Sequence, residues 1–130
     1  MAAPGETDLG AMLASLGVER RDGTYTFVAL DDPSAELRSL ASAVVEEAEA
    51  TTLVVEVGAA RAAGLDVVVE LAWLTLTVTS SLEAVGLTAA VSERLARAGI
   101  ACNVLAGFHH DHLLVPATRA DDAVTALLTP

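Results

Sequence analysis

Between Ala72 and Thr79 apolar and polar residues alternate. Ala72, Leu74, Leu76 and Val78 fall on one face, and Trp73, Thr75, Thr77 and Thr79 on the other. A period of two is that of a pleated strand with one face in a core. The period then changes. Ser80 and Glu83 have capping-box spacing, and Ala84, Leu87, Val91 and Leu95 form the inner stripe of a helix running to about Ala98. Glu93 and Arg97 make an i,i+4 pair on its outer face, and Gly99 ends it. Ile100 to Ala106 reads as a second strand, Gly107 to His110 as a turn, and Asp111 to Val115 as a third strand, antiparallel to the second. Pro116 stops it. Thr118 and Asp121 open a last helix, with Ala120, Val124, Leu127 and Leu128 inward. Residues 71–129 thus spell β-α-β-β-α, the split βαβ pattern without its final strand.

The first half is less regular. Residues 1–7 read as a disordered lead. Asp8 caps a helix over 9–16, with Leu9, Met12, Leu13 and Leu16 on one face and Gly17 as its stop. Arg20 to Gly23 reads as a polar turn, and Thr24 to Leu30 as a strand that Asp31-Asp32-Pro33-Ser34 breaks. Leu37, Leu40, Ala41, Val44 and Val45 lie near helical spacing and predict a helix over 35–49. Thr51 to Val57 is a strand candidate, and 58–66 a loop or short helical turn.

Composition bounds the function. The 130 residues are 53% hydrophobic and 3% aromatic, so the core is built from Ala, Val and Leu. The net charge is −11, and every base is Arg. Of the 18 acids, 13 lie in residues 1–70. A phosphate backbone needs a positive field, which disfavours nucleic acid as a partner. The N-terminus has neither the basic nor the apolar region of a signal peptide. Leu65 to Thr79, the most apolar stretch, is too short and too charged to span a bilayer. Cys102 is the only cysteine, which rules out an intrachain disulfide and fits a cytoplasmic protein.

Catalytic signatures are absent: the chain has no phosphate-binding glycine loop, nucleophile elbow or dinucleotide fingerprint, so no enzyme and no cofactor are expected. Cys102 alternates with Ile100 and Val104 and reads as a small core residue rather than a nucleophile. The most polar cluster is His109-His110-Asp111-His112. On a strand His110 and His112 share a face and form a weak candidate metal pair. The alternative is a hydrogen-bonded turn in which Asp111 orients an imidazole. Trp73, the only tryptophan, faces away from Leu74 and Leu76. It is buried either at the end of its own core or by a second unit.

Leu76 through Val91, containing Ser80-Ser81-Leu82-Glu83-Ala84-Val85-Gly86, resembles the ACT domain. So do Ala98 through Gly107, containing Gly99-Ile100-Ala101-Cys102-Asn103-Val104, and His110 through Pro116. More narrowly, the chain is similar to small bacterial proteins with two ACT-like halves, related to the arginine-sensor type. The resemblance covers about half the chain well and residues 9–57 loosely. It implies an α+β fold of two interlocked ferredoxin-like βαββαβ units, with an antiparallel sheet and helices on one side. Residues 1–66 would form the N-terminal half and 67–130 the C-terminal one. It also implies a homodimer, and regulatory binding of an amino acid between units.

The ligand positions implied are Ser80, Ser81, Leu82, Glu83, Val85 and Gly86, with Cys102, Asn103 and Val104 on the next strand. A strand-to-helix junction offers free amides and a positive dipole end to a ligand carboxylate. The plainer alternative is that Ser80 only caps the helix and Gly86 only permits close packing. On the ligand reading, Gly86→Val closes the site and leaves a folded protein. Two other classes remain open, a module that keeps the fold for protein contacts and a metal-binding protein.

Overall fold

The structure, a computed structural model, describes residues 8–79, 81 and 84–130. In chain order the elements are α1 (Leu9–Ala14), β1 (Val18–Arg20), β2 (Tyr25–Leu30), α2 (Ala35–Ser39), β3 (Ala41–Glu46), β4 (Thr51–Glu56) and α3 (Val57–Ala62). Then follow β5 (Leu71–Leu76), α4 (Leu87–Arg97), β6 (Asn103–Ala106), β7 (Asp111–Pro116), a 3-10 turn (Ala117–Arg119) and α5 (Ala120–Leu128). The chain is mixed α+β, and its strands pair antiparallel at β1–β5, β2–β4, β3–β4 and β6–β7. It divides into two compact units. One is Asp22–Leu71; the other joins the segment ending at Arg21 to Ala72–Pro130.

In the discontinuous unit β7 lies between β5 and β6, and β1 pairs with β5, Val18 opposite Leu76 and Arg20 opposite Leu74. Helices cover one face of this sheet. Leu87, Val91 and Leu95 of α4, Ala120, Ala123 and Leu127 of α5, and Met12 of α1 pack on Ala72, Leu74, Leu76, Leu113 and Val115. All are buried, so burial of aliphatic surface between sheet and helices holds this unit together. The exit from α4 is fixed by Gly99 at φ +71: its N–H donates to the Ala96 carbonyl and that of Ile100 to the Leu95 carbonyl, each at 3.0 Å. These two hydrogen bonds satisfy two carbonyls the helix end would leave open.

In the unit Asp22–Leu71 the strand order is β3-β4-β2. Tyr25 stands opposite Glu56 and Leu30 opposite Thr51. Val28, Leu53, Val55 and Ala60 form its buried cluster. Glu56 caps α3 by accepting from the Ala59 N–H at 2.9 Å, and Ser34 caps α2 by accepting from Leu37 at 3.2 Å.

Several sequence expectations change, among them the strand expected from Ile100, which begins at Asn103. The helix expected over 35–49 stops at Ser39, and Ala41–Glu46 is β3, bonded along β4. Adjacent β-branched Val44 and Val45 suit a strand, and the ladder to Leu53 and Val54 outweighs a helical spacing that the same residues happen to satisfy. The turn expected at Arg20–Gly23 begins one residue later, because Val18–Arg20 forms β1 and the Arg21 N–H still reaches the Trp73 carbonyl at 2.9 Å. The helix expected from the Ser80 region starts only at Leu87, after Gly86 as its N-cap. Ser80, Leu82 and Glu83 lie outside the described residues. At the C-terminus a 3-10 turn occupies the position of the expected Thr118 cap, and rotation of α5 buries Ala123 while Leu128 is 49% exposed. Helix α1 ends at Ala14, with Ser15 rather than Gly17 at its cap, and its Asp8 cap is as expected.

Candidate functional site

A cleft of about 370 Å³ opens where the chain entering α4 meets the β6–β7 hairpin. Small-molecule sites usually measure about 300–1,000 Å³. Ser81, Ala84, Val85 and Gly86 form one wall and Leu87 and Thr88 continue it along the first turn of α4. Ala106, Gly107 and Asp111 face them. Gly86 has φ +101, a left-handed conformation that glycine adopts without strain, and it provides no side-chain cap. Gly86 itself therefore supplies no side-chain cap to the first turn of α4, and the positive end of the helix dipole adjoins the cleft. Across it, Asp111 opens β7 on the helix-facing side of the strand, in register with Ala106 and two residues before buried Leu113. The Gly107 N–H closes the hairpin on the His110 carbonyl at 2.9 Å. One wall thus favours negative charge and the other carries it.

Of the expected ligand positions, Ser81, Val85 and Gly86 line this cleft. Cys102, Asn103 and Val104 are not among its lining residues. Cys102 and Val104 are half-buried against the core beneath the helices, and burial pushes the Cys102 thiol above its ordinary pKa, which opposes thiolate formation. Asn103 alternates to the other face and is exposed. Thr88, Gly107 and Asp111 were not anticipated as ligand positions. The signal for Asp111 was available, since its period-two relation to Leu113 and Val115 places it on the helix side.

The other face of the sheet carries the histidine cluster. His112 Nδ1 accepts from Trp73 Nε1 at 3.2 Å and lies 2.9 Å from Thr75 Oγ1. An indole N–H only donates, so Nδ1 presents its lone pair and the neutral ring carries its proton on Nε2. Burial, then the charges of Arg21 and His110, hold the His112 pKa below the ordinary imidazole value; the carboxylate of Asp111 opposes them. Trp73 is 2% exposed within the single chain, its ring 5.3 Å from that of His112 and 3.9 Å below the Arg21 guanidinium. Its burial therefore needs no second copy. Among the described residues no three His, Cys, Asp or Glu side chains are grouped to hold a metal ion, and the pair His110 and His112 stands without a third ligand of that kind.

The depressed His112 pKa has a stability consequence. The unfolded chain binds this proton more readily, so the stabilisation is complete above the ordinary imidazole value, about 6.5, and is lost as pH falls below it. Urea unfolding at a series of pH values is expected to show this decline, and His112→Gln to flatten it. An unchanged profile in the variant would assign the decline to other groups.

No described helix is long and apolar enough to cross a membrane. No curated protein matches the chain. A Vibrio cholerae protein of unknown function, described as a possible transport protein, is 41% identical, with 92% of each chain covered and a TM-score of 0.83. An Agrobacterium tumefaciens protein gives 16% identity, 86% of each chain and a TM-score of 0.62. Aspartokinase α and β subunits give 11% identity, 85% of this chain, 94% of that one and a TM-score of 0.58; these last two likenesses are of fold alone. Two family models, each described as an ACT domain, match residues 4–72 and 68–129. Matched over both stretches, the chain belongs to the ACT domain family.

Proposed function

We propose that this protein is a non-catalytic regulatory module that binds a free amino acid in the cleft between α4 and the β6–β7 hairpin. The observation that carries this reading is the pairing of a helix N-terminus begun by Gly86 with Asp111 across a cleft of about 370 Å³. An α-carboxylate suits the amides of the first turn of α4, and an α-ammonium suits Asp111. The resemblance of the sequence to the arginine-sensor type of ACT domain, together with the net charge of −11, makes arginine the first amino acid to try. Dimerisation through β6 fits the same reading. That strand ends the sheet and its Asn103 is exposed, available to a ligand held by a second copy. A cytoplasmic location accords with the single cysteine.

Thermal unfolding against the common amino acids tests the function. A ligand at one hundred times its dissociation constant adds about 2.7 kcal/mol, a rise of several degrees. The expected result is a rise with one amino acid or a related pair, weakened about tenfold in apparent affinity by Asp111→Asn, as for loss of one charge-assisted hydrogen bond. No rise with any amino acid would sink the sensor reading and leave a module that uses the fold for protein contacts.

A further inference from the structure

The sheet face away from the helices has a second cleft, of about 410 Å³, in the discontinuous unit. Arg20, Arg21, His110 and His112 line it, with the hydroxyl-bearing Thr75 and Thr77. The whole chain has seven Arg, no Lys and three His; Arg21 and two of the His meet on this face in a protein of net charge −11, while Arg20, opposite Leu74 in register, turns its guanidinium toward Asp121 of α5. Nothing in the packing of the core requires this. The cluster is held in place by contacts that fix it before any ligand arrives. The Arg21 guanidinium lies 3.9 Å from the Trp73 ring centroid, and the His112 ring is held by Trp73 and Thr75. A stacked guanidinium loses little further freedom on binding, which favours recognition of planar or tetrahedral oxyanions. Glu19 shares the rim and limits how much negative charge the cleft accepts. The 3.8 Å approach of Arg20 to Asp121 is an exposed pair of small energetic weight.

We propose that this cleft is a second ligand site, distinct from the one at α4, which takes the oxyanion group of a small metabolite, a phosphate or a carboxylate. Arg21 supplies charge, His110 a ring N–H, and Thr77 a hydroxyl donor.

Trp73 is the only tryptophan in the chain and touches two residues of the cleft lining, so its fluorescence reports on the site directly. The experiment titrates the purified protein with sodium phosphate and, separately, sodium succinate, with sodium chloride at matched ionic strength as the reference. A saturable change beyond that of chloride is expected with at least one of the two. A response to phosphate alone assigns the phosphate class, to succinate alone the carboxylate class, and to both an oxyanion site that does not discriminate. His110→Gln and Thr77→Ala leave the immediate neighbours of Trp73 in place and are each expected to weaken binding, His110→Gln by about tenfold. Arg21→Gln, which alters the indole surroundings, is read by calorimetry instead and is expected to lose about tenfold or more. Responses no larger than chloride, or variants that bind like the parent, would overturn the proposal. Neither result bears on the cleft at α4, which none of these substitutions touches.

Discussion

Trp73→Ala is expected to cost about 3–5 kcal/mol of folding stability, the range for truncating a buried large aromatic. Trp73 is 2% exposed on β5, whose neighbours on either side along the strand, Ala72 and Leu74, are also fully buried, so the strand has no wet face at this point. Truncation removes the ring, the Nε1–H that His112 Nδ1 accepts, and the surface on which the Arg21 guanidinium rests. Loss of one of the two groups that meet the His112 Nδ1 nitrogen adds to the cavity term. A loss of this size is a large share of the roughly 5–15 kcal/mol that holds a domain folded. Trp73→Phe keeps most of the apolar surface and is expected to recover more than half of it. Urea unfolding followed by circular dichroism, which does not depend on the tryptophan, measures both. A cost below about 1 kcal/mol for the alanine variant would mean the face around Trp73 is not packed as described.

Gly86→Val is the second large effect, and it acts on the fold as well as on the site. At φ +101 any side chain is strained, and a Cβ there would lie 3.0 Å from Leu9 Cδ2. Strain of about 1–3 kcal/mol and overpacking of about 1–3 kcal/mol place the expected destabilisation at about 2–6 kcal/mol. The expectation that this substitution closes the site and leaves a folded protein is therefore to be read together with the variant's stability. A lost ligand response in Gly86→Val could come from either cause. Asp111→Asn, which changes charge with almost no change of shape, is the cleaner probe of the site. Comparing the unfolding midpoints of Gly86→Val and the parent without ligand isolates the structural part; equal midpoints would show that Leu9 and the backbone yield freely.

Elements with one unambiguous period were legible in the sequence. The alternation of Ala72 to Thr79 appears as β5, which ends at Leu76, and the stripe of Leu87, Val91 and Leu95 and the β6–β7 hairpin appear close to where their patterns put them. Patterns that fit two periods were not. Ala41, Val44 and Val45 satisfy a helical spacing, yet they form β3, because pairing with β4 is a long-range event that local spacing does not encode. Strand β1 is three residues long, too short for any period, and exists through its ladder to β5. The candidate cleft was half legible. Ser81, Val85 and Gly86 follow from a strand-to-helix junction, whereas Asp111 and Gly107 reach the cleft only through the hairpin that folds back onto it. Asn103 attracts notice as a polar strand residue, but its neighbours Cys102 and Val104 take the inward face and leave it on the other.

The most direct measurement is an amide-resolved nitrogen–proton NMR spectrum of the labelled protein, titrated first with arginine and then with the other common amino acids. The account predicts saturable shifts concentrated at Gly86, Leu87, Thr88, Gly107 and Asp111 with one amino acid or a related pair. Saturable shifts confined to other residues, or none with any amino acid, would contradict it.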